Sequence, residues 1–281
     1  MKHRIDPVVD CVFKALLGAE GNSSLLIHFL NAMLGAELAA PITSVQILNP
    51  YNERDFPDDK LSIVDVKARD DQGRLVQIEV QLNTYQRLRA RMLYGWGTLY
   101  SKQLKQGDDY DLLKPSYAIW LLADTLFRDH DDHLHDFQWR SADGRRLLAH
   151  GGIWVAELKK FPVDRLGSEQ DRWLKFFKEG KTLDSDNLPE WMQTPEMRQA
   201  MSTLKHFSEQ ERAYHRYQAR LNFLRQQRTM QREREELEAQ LAQERQAREQ
   251  AQSTAEQERQ AKEAALAELE RLKAQLGDRS H

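Results

Sequence analysis

One cysteine, Cys11, stands in a chain of 281 residues. A lone thiol excludes an internal disulfide framework and a cysteine-based zinc cluster, and it fits a reducing compartment such as the cytoplasm. No apolar run approaches the ~20 residues of a membrane span, so no membrane association is expected. The opening MKHRIDPVVD is polar where the apolar core of a secretion signal would stand, so none is expected here. An excess of one charge is also lacking. The 41 Lys and Arg against 44 Asp and Glu leave a formal net charge of −3, so contact with a polyanion must rest on a local patch. Proline and internal glycine are missing from about Arg212 to Gly277, where Gln, Glu, Arg, Ala and Leu dominate.

That stretch explains why 30% of the chain is charged. It reads as one long helix with a heptad seam at Leu237, Leu241, Ala251, Ala255, Ala265, Leu269, Leu272 and Leu276. Glu244, Arg248, Glu258 and Lys262 interrupt the seam, so the expected coiled coil is weak. Ahead of it, residues 6–35 carry a helical leucine stripe broken at GAEGNSS, which predicts two helices with Ser23 or Ser24 capping the second. SVQILNP reads as a short strand and YNERDFPDDK as a polar loop. Residues 85–106 form a basic, aromatic helix. SYAIWLLA and GGIWVAELKKF read as strands, with a hairpin across FQWR, SADG and RRLL between them. Beyond Pro162, RLGSEQDRWLKFFKEG and PEMRQAMSTLKHFSEQ are helical.

The chemistry concentrates in KLSIVDVKARDDQGRLVQIEVQL, residues 60–82. Val64, Val66 and Ala68 alternate with Asp65 and Lys67; Val76, Ile78, Val80 and Leu82 alternate with Gln77, Glu79 and Gln81. A three-residue turn over Asp71–Gly73, with Gly73 left-handed, pairs Asp70 with Arg74 and places Asp65 opposite Glu79. Both acids then face away from the apolar side. Two opposed carboxylates repel unless a cation lies between them, and a hard divalent ion such as Mg²⁺ suits them. Gln81 points to the same face. The plainer alternative is an ordinary solvated face.

Asp65, a hairpin and Glu79-Val80-Gln81 resemble the D…(D/E)-x-K signature of the PD-(D/E)XK nuclease superfamily. DPVVDCVFKALLG, KLSIVDVKARDDQGRLVQIEVQ and RMLYGWGTLYSKQLKQGDDYDLLKPSYAIWLL resemble its Rpn family of recombination-promoting nucleases and transposases, as does VAELKKF. The likeness covers roughly residues 1–165 and much of the helical stretch beyond. It implies an α/β restriction-endonuclease-like core, a mixed sheet flanked by helices, over 1–165. A helical extension over 166–211 and the long helix or coiled coil over 212–277 follow. It also implies a Mg²⁺-dependent DNA endonuclease that promotes recombination. Asp65 and Glu79 would be metal ligands, the Val80 carbonyl a third, and Gln81 would stand in the lysine's place. That departure matters, because a neutral amide orients water but does not supply charge. Asp6 and Asp10 are both candidates for a further acid from the first helix.

Lys60, Arg87 and Arg91 are candidates for contacts with DNA phosphates. RDHDDHLHDF holds His130, His133 and His135, but no helix gathers all three and the segment reads as a surface loop rather than a metal site. Cys11 lies within an apolar helix and reads as packing, not as a nucleophile. Two rivals stand beside the nuclease: a DNA-binding protein of the same fold that cuts poorly, and a structural protein assembled through its tail. A nuclease that cuts both strands gains from two sites, so a homodimer through the tail is expected.

Overall fold

The structure, a computed structural model, describes residues 2–48, 51–52, 62–63 and 65–277. In chain order the elements are α1 (Asp10–Leu17), α2 (Ser23–Leu34), β1 (Val45–Ile47), β2 (Tyr51–Asn52), β3 (Ser62–Ile63), β4 (Val66–Asp70) and β5 (Leu75–Gln81). Then come α3 (Leu88–Ser101), β6 (Ser116–Leu122), β7 (Leu134–Phe137), β8 (Gly151–Glu157), α4 (Glu169–Glu179), α5 (Pro195–Glu209) and α6 (Glu211–Gly277). Met1–Asn222 form one compact unit and Phe223–His281 a second.

A six-stranded sheet in the order β1-β4-β5-β6-β8-β7 organises the first unit, and β2 pairs with β3 apart from it. β5, β6 and β8 run parallel, while β1, β4 and β7 join antiparallel. Parallel central strands are buried on both faces, as the continuous apolar run of β6 requires. One face carries the larger core. Leu16 of α1, Phe29 of α2, Trp173 of α4 and Leu204 of α5 pack there with Val76 and Ile78 of β5. The stretch expected as a helical extension thus contributes to the same core, as do Ala213 and Tyr217 at the start of α6. On the other face Leu88, Met92 and Trp96 of α3 pack against Ala118, Trp120 and Leu122 of β6 and Val155 of β8.

The hairpin follows the turn chemistry. Gly73 sits at φ +79°, its N–H reaches Asp70 O, and Asp70 N–H reaches Arg74 O. The pairs Ala68↔Val76, Lys67↔Gln77 and Val66↔Ile78 follow. Several boundaries differ from the sequence reading. The helix expected over 85–106 is shorter, and Lys102 caps it. Asn22, not Ser23 or Ser24, is the N-cap of α2. The hairpin expected around SADG is reduced to an isolated Arg140↔Arg146 bridge. Part of the His-rich segment read as loop is the edge strand β7, because His135 is drawn inward by the buried Glu157. Leu237, Leu241 and Leu269 are exposed on α6.

Candidate active site

Asp65 stands one residue before β4. The next register pair is Val66↔Ile78, so the hairpin count sets Asp65 across from Glu79. Its Oδ2 accepts the Val80 N–H at 2.9 Å, fixing the carboxylate at the end of the ladder. Ala123 N–H donates to Gln81 O at 2.9 Å, so Gln81's backbone faces β6. Val80, one residue earlier, therefore presents its carbonyl to the β4 side, towards Asp65.

A solvated outer face is excluded. Glu79 is only 3% exposed, because α3 covers its side of β5. Gln77 is fully buried there, and among the described residues neither of its amide atoms has a hydrogen-bond partner. Gly95 of α3 leaves room for its amide: a Cβ at Gly95 would lie 3.1 Å from Gln77 Nε2. The sequence pattern placed Glu79 away from one apolar face and gave no sign of a second.

Two cations complete the site, one from each face of the sheet. Lys14 of α1 holds Nζ 3.3 Å from Asp65 Oδ1. Arg91 of α3 pairs with Glu79 Oε2, lies 5.3 Å from the Trp120 ring centroid, and reaches the Tyr85 hydroxyl at 3.5 Å. Burial pushes Glu79 up to about 8; Arg91 pulls it down and Asp65 adds to the rise. Burial also raises Asp65, against the Val80 N–H and Lys14 that lower it, while Asp10 adds a smaller upward push. Asp10 is thus the first-helix acid near the pair; its carboxylate is held by Arg220 at 2.9 Å. Asp6 lies with Lys181 at 3.6 Å and accepts the Val8 N–H.

The remaining expected residues are less central. Gln81 donates to Asn83 O at 3.0 Å and, among the described residues, bonds neither acid. Arg87 is exposed at the N-cap of α3, one turn from Arg91. Lys60 lies outside the described residues. Cys11 is half-buried and burial raises its thiol, which does not suit a nucleophile.

Two carboxylates in register and a main-chain carbonyl are the oxygen donors Mg²⁺ takes alongside water. Among the described residues no group of three or more His, Cys, Asp or Glu is placed to hold a metal, so backbone and water would have to complete the set. The donor chemistry fits such an ion, two carboxylates and a carbonyl being hard oxygen donors, and Lys14 and Arg91 are the cations it would displace from the acids.

The family model for PD-(D/E)XK nuclease family transposases matches residues 7–234. The chain belongs to this family. No curated protein and no solved structure matches it. In this PD-(D/E)XK chain Gln81 follows Glu79 by two residues, and Lys14 lies against Asp65. In DCVFKALL Lys14 reads as a solvated charge on an amphipathic helix, and a contact 51 residues away in sequence leaves no local mark.

One consequence can be measured without any substrate. Glu79 binds its proton more tightly folded than unfolded, so the folded state holds extra protons between about 4.5 and about 8. Stability from that proton is complete below the lower value and is lost as pH rises through the upper one. In EDTA, urea unfolding of the wild type should weaken across this window relative to Glu79→Gln, by on the order of 5 kcal/mol. Parallel pH curves would mean that Glu79 titrates normally.

Proposed function

We propose that the chain is a Mg²⁺-dependent DNA endonuclease hydrolysing phosphodiester bonds, acting in recombination in a transposase-like way. The observation that carries this is Asp65 and Glu79 set opposite each other at the end of β4 and β5, beside the Val80 carbonyl, in a chain of this family. Asp65, Glu79 and the Val80 carbonyl would hold the divalent cation. Bound there, it lowers the pKa of its water and offsets charge on the leaving oxygen. Lys14 supplies the ammonium that Gln81 lacks, 3.3 Å from Asp65 and able to meet a water or phosphate oxygen beside it. Gln81 is left an orienting role. Arg91 pairs with Glu79; freed from that pair it would lie one turn from Arg87, and the two would meet the DNA backbone together.

The test is nicking of a supercoiled plasmid. Relaxed product with Mg²⁺ or Mn²⁺, and none in EDTA, is expected. Duplex binding without nicking under any divalent ion would favour the DNA-binding rival, and neither binding nor nicking the structural one. No helix among the described residues is long and apolar enough to cross a membrane; the DNA substrate and the single thiol support a cytoplasmic setting.

The same reading includes a homodimer through the tail. Its support is the seam of α6, a 67-residue helix on which Leu237, Leu241 and Leu269 stay exposed. Light scattering should give two copies for the full chain and fewer for one ending at Arg225. Equal subunit counts would remove the tail from assembly.

A further inference from the structure

A row of alternating charge links α6 to the acids: Arg220, Asp10, Lys14, Asp65. Asp10 and Lys14 are four residues apart on α1, so they share a helix face. An acid four residues ahead of a lysine is also the favoured order for a pair within one helix. Asp10 is therefore the local partner that the sequence offers Lys14. The structure makes a different choice. Lys14 reaches across to Asp65 at 3.3 Å. Asp10 is taken by Arg220, whose Nε lies 3.0 Å from Oδ1 and 2.9 Å from Oδ2. The Cys11 N–H donates to the same Oδ1 at 2.9 Å.

Arg220 comes from a firmly anchored helix end. Ala213 and Tyr217 are buried in the larger core. The Tyr217 hydroxyl accepts the Asp6 N–H at 3.2 Å, and the Tyr214 ring stacks on His3 with 3.8 Å between centroids. Tyr214, Tyr217 and Arg220 follow one another at a spacing of three, so they lie along one face of α6. The face that grips the segment before α1 thus also carries Arg220 to Asp10. Lys14 is half-buried, and its ammonium sits on a flexible stem, so the acid it meets is the one left open to it. Asp10 stands close enough for its charge to act on Asp65, which puts both acids within reach of Lys14.

We infer that Arg220 is a positioning residue: by occupying Asp10 it leaves Lys14 to Asp65, at the site proposed to cut DNA. The inference rests on the nuclease reading for its effect on cleavage, and not for the placement of Lys14. It also brings the start of α6 into the working of a site otherwise built from α1, α3, β4 and β5.

The test is a crystal structure of the full chain carrying R220Q, without divalent ions, together with plasmid nicking in Mg²⁺. Lys14 Nζ should move from Asp65 to Asp10. The maximal nicking rate should fall about tenfold, part of the loss expected of Lys14→Ala. R220K keeps a cation on Asp10, so it should keep Lys14 on Asp65 and nick within about threefold of wild type. D10N/R220Q removes the charge that captures Lys14 and should nick faster than R220Q. Lys14 still on Asp65 in R220Q would overturn the inference, as would a wild-type nicking rate in R220Q or a double variant that nicks no faster than R220Q. Should R220Q fail to fold, R220K decides, and Lys14 found on Asp10 there would overturn it. A shift of Lys14 to Asp10 in R220Q, in a protein whose wild type nicks no plasmid, would keep the positioning role and sink the nuclease reading.

Discussion

Asp65→Asn and Glu79→Gln should each lower plasmid nicking at least ~1000-fold, the scale expected when a principal electrostatic group of a reaction is lost. The isosteres matter because neither acid is an idle surface group. Asp65 accepts the Val80 N–H, so Asp65→Ala would leave a part-buried donor unpaired at a cost of about 1–3 kcal/mol, whereas Asn can still accept. Glu79→Ala would strip Arg91 of its partner beside Trp120. Neither loss approaches the destabilisation of a core truncation, since burial already disfavours both charges. The expected pairing is therefore abolished cleavage with folding retained, read by nicking alongside urea unfolding in EDTA. Isosteres that unfold the protein would make the pair structural, and isosteres that cleave normally would move the chemistry elsewhere.

The site was half legible in the sequence, and the reason is locality. A hairpin with a glycine at its left-handed turn position carries its own register, so Gly73 alone sets Asp65 against Glu79. β6 announces its double burial by an unbroken apolar run. What surrounds the acids comes from distant segments. α3 buries Glu79 through Leu88, Met92 and Trp96, yet nothing in QIEVQ differs from a strand with one wet face. Lys14 and Arg91 look like solvated charges on their own helices and gain meaning only across the sheet. β7 was hidden for a related cause. Its inward residue His135 is polar, satisfied by a buried carboxylate at 3.0 Å, so hydropathy shows no strand.

Lys14→Ala should lower the maximal nicking rate by about 100-fold, the effect of removing one preorganised donor from developing charge. Gln81→Ala should cost less than about tenfold, because its amide is bonded to Asn83 O rather than to either acid. The two positions separate because only one carries charge: Lys14 reaches Asp65 from α1, while Gln81 flanks the acids on β5. Lys14 also competes with a divalent cation for Asp65. Its removal should leave unchanged or reduce the Mg²⁺ concentration needed for half-maximal nicking, even as the maximal rate falls. A purely structural lysine would instead raise that concentration, by letting Asp65 drift from Val80. Gln81→Lys should leave the wild-type rate intact or raise it, and in the Lys14→Ala background it should restore part of the loss by returning an ammonium from β5. Lys14→Ala nicking at the wild-type rate would show that the chain cleaves without a lysine at its acids and would assign the charge stabilisation to the bound cation and Arg91.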